Sequence, residues 1–556
     1  MQLPHCLTLL ACLLLLVTTT PALADIRLPK IFSDGMVLQR QSEITLWGMA
    51  DANEELSISI TGRPIETKQL KTTCDQKGHF QVKINTLPVG GPYEMEIVGA
   101  SSTVRIRDIL VGDVWLCSGQ SNMAMTVADS QEDDLLPGTT QSQLRLLNIE
   151  RTASPRPLEE FTGVVTWQSA TTESAKQFSA VGYFFGRQLQ QSQKVPIGII
   201  NASWGGTLCE AWTSQQALEN TPALKPLFDY GQSIPDGLQK QDQHASLFNG
   251  MISPLQQIAV KGVVWYQGES NVGRGAQYAT LFPTMISDWR KHFSRPDLPF
   301  LFVQLAPYHY QDRSPQALAE VWDAQLKTVL QTPRTGMAVT VDLGNADDIH
   351  PKDKFHVAER LADWALAEVY NDQRLLQNAD SDQPLTLPAA STSENNATSP
   401  ADSASPDKTP VRPIAAALRR RRAARQQTQE PAATPEETTE SSRPYPVPYA
   451  SPLFKTVEIV DQTAVVSFFA GQGLSTSDGQ PVREFQVAGE DQVFHPAEAS
   501  IVNDQIHVYS VRVPKPVAVR YAFHETPDTN LINKSGLPAS PFRSDSFPLQ
   551  SDGKDY

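Results

Sequence analysis

The chain has 556 residues, too many for one ordinary domain, and its 40% hydrophobic content supports sizeable cores. A formal net charge of −15 argues against a nucleic-acid binder, because neutralising phosphates needs a basic face. It places no restriction on a small-molecule pocket, whose local charge can differ from the surface average.

The first element is an apolar run, Leu7 to Val17, followed by "TTTPALAD". Ala22-Leu23-Ala24 has the small-x-small pattern of a signal-peptidase site, so residues 1–24 read as a secretory leader and Asp25 as the mature start. The run is too short to span a membrane, although no Lys or Arg precedes it. Export is expected, to the periplasm or medium, or to the lysosome or extracellular space in a eukaryote. Of five cysteines, cleavage removes Cys6 and Cys12. The rest, Cys74, Cys117 and Cys209, are expected as buried free thiols, with a Cys117–Cys209 bridge as the alternative. No CxxC or HExxH spacing supports a zinc site.

From 25 to 106 short alternating runs ("EITLWGMA", "LSISITG", "HFQVKIN", "YEMEIVG") are separated by turn residues, which predicts a small β-sandwich. Over 107–370 the pattern changes. Apolar runs of the doubly covered kind, "DVWLC", "PIGIINASW", "GVVWYQ", "PFLFVQLAP" and "MAVTVDLG", alternate with amphipathic segments such as "AVGYFFGRQLQQSQ" and "KFHVAERLADWALAEVY". In the last of these Val357, Leu361, Trp364 and Ala365 share one helical face. The fold class is therefore α/β, a parallel sheet with helices on both sides. From 371 to 443 the composition collapses into Ser, Thr, Pro, Ala, Asp and Glu, as in a disordered insertion. It contains a basic run, Arg419 to Arg425, a solvated charge cluster or a processing site. Strand-like alternation returns over 444–556.

Ligands of open parallel sheets bind outside the carboxyl ends of the strands. The residues just beyond each predicted strand are therefore informative. After "DVWLC" comes Ser121, and after "IINASW" come Gly205, Gly206 and Thr207. After "VVWYQ" come Gly268, Glu269, Ser270 and Asn271, and after "AVTVDLG" come Asp347, Asp348 and His350. A serine hydroxyl needs a base to become a nucleophile. His350 has a suitable intrinsic pKa, and a carboxylate on its other nitrogen would fix the tautomer and support the imidazolium. Attack on an ester creates an oxyanion, which N–H groups of Ser121 and of Gly205 or Gly206, with the Asn271 amide, could hold. Loss of one such donor typically costs about 3 kcal/mol of barrier.

The order of these residues resembles the SGNH hydrolases, and within them the sialate O-acetylesterase family. The phrases that carry the resemblance are "SGQSNM", "SWGGTLCEAWTS", "FNGMISPL", "VVWYQGESN", "FVQLAP" and "DDIHPKDK". The flanking "IFSDGMVLQR" and "NLINKSGLPASPFRSD" fit the same family. The resemblance covers nearly the whole mature chain apart from the insertion, and six separated motifs in order carry it. The resemblance implies an SGNH/flavodoxin-like hydrolase domain between β-rich flanks. It also implies hydrolysis of O-acetyl esters of sialic acids through an acetyl-serine, with no cofactor and no metal. The partner is then an acetylated sialic acid or another acetylated glycan, with no nucleic acid and no membrane span.

Asp-x-x-His spacing points to Asp347 as the acid and "DIHP" to Asp348; the SGNH loop favours Asp347, and both stay open. Glu269 either orients Asn271 or touches substrate, or else caps the following helix. Gln120 is read as a loop-shaping amide beside the substrate. Arg274 is a candidate for a sialic acid carboxylate or a solvated arginine. Trp204 and Trp212 are candidates for sugar stacking or for the core. His356 is read as structural, and nothing singles out His309. An acetylxylan or other glycan esterase, and a non-catalytic carbohydrate-binding surface protein, are the competing functions; retention of nucleophile, base and oxyanion donors together speaks against the second.

Overall fold

A computed structural model describes residues 25–233, 240–372 and 450–554. The predicted leader, and the predicted insertion from residue 373 onward with its Arg419–Arg425 run, lie outside them. The described residues are organised around β1 (Thr103–Gly119), a strand whose character changes along its 17 residues. Up to Asp108 it is mostly exposed; from Ile109 to Gly119 every residue is buried. Its outer half pairs antiparallel with Gly90–Val98, and its inner half pairs parallel with Val37–Gln39. Asp108 lies at φ 57°, where the ladder register shifts opposite Tyr93. Such a bulge bends a strand without ending it. Arg145 fastens the bend with two hydrogen bonds to the Asp108 carboxylate, at 2.7 and 3.1 Å.

The strand thus runs across the boundary expected at 106/107. Neither Asp108 nor Gly112 ends the strand within "TVRIRDILVGDVWLC", so the backbone ladder continues from the N-terminal β-region into the central sheet, which counts 11 strands among the described residues.

The other strands of the central layer are β2 (Gln141–Asn148), β3 (Gln168–Ala170), β4 (Ile197–Ser203), β5 (Gly262–Tyr266), β6 (Phe300–Val303) and β7 (Thr335–Ala338). Their order is β7-β6-β5-β1-β4-β2-β3, parallel throughout except for the edge strand β3. All residues of β4 to β7 are buried, as the unbroken apolar runs require. Helices α1 (Ser121–Ala124), α2 (Ala180–Gln193), α3 (Gly275–His292), α4 (Ala317–Gln331) and α5 (Lys354–Trp364) follow these strands. Val357, Leu361, Trp364 and Ala365 are all buried on the predicted face of α5 and the turn after it.

Trp265 of β5 anchors the core beneath the site. It meets Trp212 and Trp289 edge-on, at 5.9 and 5.7 Å between centroids, contacts worth about 1 kcal/mol each beyond burial. Trp212 is therefore core, not a sugar platform. The three cysteines are buried free thiols.

The described C-terminal residues form antiparallel sheets, chiefly Leu453–Val460, Thr463–Phe469, Gln505–Tyr509 and Glu498–Val502 in one and Phe485–Ala488 with Ala518–Tyr521 in another. They are tied to the β6 side of the central layer. Gln304 donates to Ser540 at 2.8 Å, and Glu525 accepts from the Tyr310 N–H at 2.9 Å. β1 has β4 on one side and β5 on the other, so the chain departs both ways from it. The carboxyl end of β1 is the switch point where a ligand crevice is expected.

Candidate active site

β1 ends at Gly119 with φ 136°, and a Cβ there would lie 2.1 Å from the Tyr266 carbonyl oxygen. Only glycine allows the chain to turn this close to β5. The Gln120 N–H then donates to that carbonyl at 2.9 Å. Ser121 opens the one-turn helix α1, whose leading N–H groups have no intrahelical acceptor. The loop after β4 closes over the same point. Trp204 N–H donates to the Gly119 carbonyl at 3.0 Å, and Thr207 Oγ1 closes the Gly205–Gly206 turn on the Trp204 carbonyl at 2.7 Å. Gly205 faces the serine: a Cβ on it would lie 3.2 Å from Ser121 Cβ. Gly206, at φ 77°, faces open space.

The turn before α5 supplies the histidine. His350 Nε2 lies 2.8 Å from Ser121 Oγ. On the other side of the ring, Asp348 Oδ1 is 3.8 Å from Nδ1 and accepts the His350 backbone N–H at 2.9 Å. That separation exceeds a hydrogen bond. Asp347 is exposed, and its N–H donates to Asn345 Oδ1 at 3.0 Å. Of the two candidates the structure thus sets Asp348, and not the favoured Asp347, against the ring. The turn folds the residue two before the histidine, not three before, back onto the ring. Burial pushes the His350 imidazole below the usual histidine value; Asp348 opposes this, and Lys354 and Lys352 reinforce it. The net effect favours the neutral, proton-accepting form of the ring.

Ser121, Gly205, His350 and Asp348 line a solvent-facing pocket of about 390 Å³ together with Met125, Trp204, Arg151 and Lys352. Trp204 stays half-buried at its rim. Asp129 lies beside Lys352, whose Nζ donates to the Asp129 carbonyl at 3.0 Å.

Several expected residues do not reach this pocket. Asn271 is fully buried. Its Oδ1 accepts from Cys209 N–H at 3.0 Å and Gln267 Nε2 at 2.7 Å, and its Nδ2 donates to Glu210 at 2.9 Å. The one-turn helix Glu269–Asn271 points it inward at Glu210, and it does not line the pocket of Ser121 and His350. Arg274 is committed to Glu210 at 2.7 Å and Gln277 at 2.6 Å, and borders a different cavity of about 460 Å³. It is neither solvated nor at the site. Glu269 is buried and accepts from Asn122 Nδ2 at 2.5 Å, so it orients Asn122 rather than Asn271 or substrate. Burial raises its pKa, and the Asn122 hydrogen bond partly offsets this. Gln120 is a buried brace, accepting from Gly268 N–H at 3.2 Å, and does not touch the pocket. His356 pairs with Asp353 at 2.7 Å beside the start of α5, as a structural histidine does.

Asn122, Lys354, Arg151 and Lys352 are not picked out by motif spacing. Lys354 does carry a signal: a lysine in the first turn of a helix opposes the helix dipole. It is fully buried, its Nζ donating to Asn122 Oδ1 at 2.7 Å and Pro351 O at 2.6 Å. Burial pushes its pKa down to about 8. Among the described residues no group of three His, Cys, Asp or Glu side chains is disposed to hold a metal. No helix there is long and apolar enough to cross a membrane.

Comparison with known proteins places these residues in context. A family model described as carbohydrate esterase, sialic acid-specific acetylesterase, matches residues 111–367. A sialate O-acetylesterase of Pongo abelii is 33% identical over 381 residues, which span 63% of this chain and 72% of the relative. The Homo sapiens sialate O-acetylesterase is 33% identical over 383 residues with the same two coverages, 63% and 72%. Among solved structures, a carbohydrate acetylesterase from Xanthomonas citri is similar with a TM-score of 0.73 and 32% identity, covering 94% of this chain and 100% of that one.

Proposed function

Given that the chain belongs to the sialate O-acetylesterase family and is an esterase, we propose that it removes O-acetyl groups from sialic acids through an acetyl-Ser121 intermediate. The observation that carries this reading is the 2.8 Å contact between Ser121 Oγ and His350 Nε2 at the wall of an open pocket. Ser121 Oγ attacks the acetyl carbonyl while His350 Nε2 takes its proton. The tetrahedral oxyanion lies against the Ser121 and Gly205 N–H groups. Collapse expels the sugar oxygen, which regains a proton from His350, and leaves acetyl on Ser121. Water then gives its proton to His350 and attacks; acetate departs and Ser121 recovers its hydrogen. Asp348 stabilises the imidazolium in both halves. Neither half requires a metal or an organic cofactor.

Sialic acids differ from neutral sugars in carrying a carboxylate. Arg151 and Lys352 put two cations on the pocket wall. Among the described residues Arg151 spends only Nε, donating to the Ser203 carbonyl at 3.4 Å, which leaves the outer guanidinium nitrogens for a carboxylate. Arg151 thus takes the role that the sequence suggests for Arg274. A neutral acetylated xylan would gain nothing from either cation. The parallel sheet with Ser121 and His350 on its carboxyl edge supports an SGNH-type hydrolase domain, and the Leu7–Val17 run supports export.

Acetate release from O-acetylated sialic acid and from acetylated xylan, with wild type, Ser121→Ala and Arg151→Gln, tests the reading. Turnover of the sialic acid that disappears in Ser121→Ala and shows a raised KM in Arg151→Gln is expected. Turnover of xylan alone replaces the substrate, and Ser121-independent turnover removes the mechanism.

A further inference from the structure

Asn122 follows the nucleophile in sequence yet is 1% exposed, so its amide points under the pocket rather than into it. There it serves three partners. Its Oδ1 accepts from Lys354 Nζ at 2.7 Å, and its Nδ2 donates to Glu269 Oε1 at 2.5 Å and to the Ile349 carbonyl at 3.0 Å. Lys354 Nζ in turn donates to the Pro351 carbonyl at 2.6 Å. Ile349 and Pro351 are the two neighbours of His350. Both carbonyls that bracket the histidine are thus held, one from the residue beside Ser121 and the other from the ammonium that grips that residue. Lys354 Nζ also lies 5.5 Å from the centre of the Tyr266 ring, the residue whose carbonyl receives the Gln120 N–H.

We propose that Lys354 and Asn122 are positioning residues, a buried ammonium–amide clamp that fixes the Ser121 turn against the His350 loop and thereby sets the nucleophile–base distance. The proposal rests on the esterase reading of Ser121 and His350. An ammonium that is fully buried, in the first turn of a helix, opposes both desolvation and the helix dipole. An apolar side chain of the same length would fill the space without that cost, so packing alone does not account for a lysine here. What a methionine could not supply is two directed N–H bonds to two different loops and a positive charge beneath the imidazole.

The charge has its own consequence. The groups that act on His350 are Asp348, which favours the imidazolium, and Lys352 and Lys354, which disfavour it. The charge of Lys354 is itself supported by Glu269, Glu132 and Asp353 and opposed by Lys352. Removing the Lys354 ammonium therefore raises the His350 pKa and moves the acid limb of the rate profile to higher pH. A lysine whose charge did not reach the ring would leave that limb in place, and the fall in kcat at pH values above the limb reports the positioning.

The test uses full-length Lys354→Met and Asn122→Ala, with acetate release followed across pH, thermal melting, and NMR titration of the His350 ring assigned by its loss in His350→Gln. For Lys354→Met the expected result is a kcat about 10- to 100-fold lower, the order associated with misplacing a catalytic group by an ångström. KM should stay within about twofold, the melting temperature should fall because Asn122 Oδ1 and the Pro351 carbonyl lose their donor, and His350 should titrate at higher pH. Asn122→Ala should lower kcat with the same pattern in KM, and it carries the test if Lys354→Met does not fold. A folded variant with kcat within about twofold of wild type and an unmoved His350 titration overturns the proposal. If the wild type releases no acetate in a Ser121-dependent way, the esterase reading fails separately. The NMR titration then still decides whether the clamp acts on His350.

Discussion

Two loops leave the carboxyl edge of the central sheet on the same flank of β1 and meet different fates. The loop before α5 brings His350 to Ser121 at 2.8 Å, with 41% of the histidine side chain still exposed. The loop after β5, Gly268 to Asn271, has equally polar residues, yet both acidic and amide side chains are buried: Asn271 spends its amide on Glu210, Cys209 and Gln267, and Glu269 accepts from Asn122 on Oε1 while its Oε2 has no hydrogen-bond partner among the described residues. The polar residues along such an edge thus fall into two layers. The outer layer can meet an ester. The inner layer holds the outer one still through hydrogen bonds inside the protein, where each unpaired buried amide or carboxylate group costs about 1–3 kcal/mol or more.

This contrast can be broken by substitution, and the largest effect belongs to the outer layer. Ser121→Ala should lower kcat for acetate release by about 10⁴-fold or more, since losing a nucleophile removes the action of the whole set. Its melting temperature should match wild type. Asp348→Asn should lower kcat by about 10²-fold or more, whereas Asp347→Asn, one residue away and exposed, should stay within about twofold. Equal effects of the two, read from steady-state kinetics, would sink the assignment of Asp348.

Asn271→Ala tests the inner layer. It removes the donor to Glu210 Oε2 and the acceptor of the Cys209 N–H, while Arg274 keeps its hold on Glu210 Oε1, so unfolding by denaturant should show a loss of about 2–4 kcal/mol. Residual kcat per folded molecule should exceed that of Ser121→Ala by orders of magnitude. An oxyanion donor would behave the other way, losing rate with little stability.

The smallest effect is one of pH. Burial first, then Lys354 and Lys352, hold the His350 pKa below its ordinary value of about 6.5 against the pull of Asp348. A base must be unprotonated, so kcat/KM should rise with pH through a limb below that value and be level at neutrality. Asp348→Asn removes the opposing charge and should move the limb lower still.

Much of this outer layer is legible from the residues alone. Long apolar runs ending in small polar groups locate the carboxyl ends of β1, β4 and β5. They bring out Ser121 and Gly205, while Asp348 and His350 follow the run that includes β7. The inner layer is less so, because whether Asn271 faces a substrate or Glu210 depends on the direction of a single helical turn and on a residue 61 positions away. Asp347 and Asp348 differ only in which carboxylate the turn returns to the ring. Arg151 is hard to find for a plainer reason. It stands three residues beyond β2, whose "QLRLLNIE" has a charged residue inside its apolar run and so lacks the doubly covered pattern of its neighbours. The bend at Asp108 is hidden as well, since neither Gly nor Pro marks it and the partner that fixes it, Arg145, lies on another strand.

Ser121 as carrier of the acetyl group is the central claim, and trapping that intermediate is the direct test. Enzyme mixed with excess O-acetylated sialic acid, quenched in acid within the first turnovers and digested, should yield the Ser121 peptide bearing one acetyl group, together with a burst of released sugar. Wild-type turnover with that peptide unmodified, and no burst, would mean either that water attacks the ester directly or that deacylation outruns the quench. If slowed substrates also left Ser121 bare, its role as nucleophile would be contradicted.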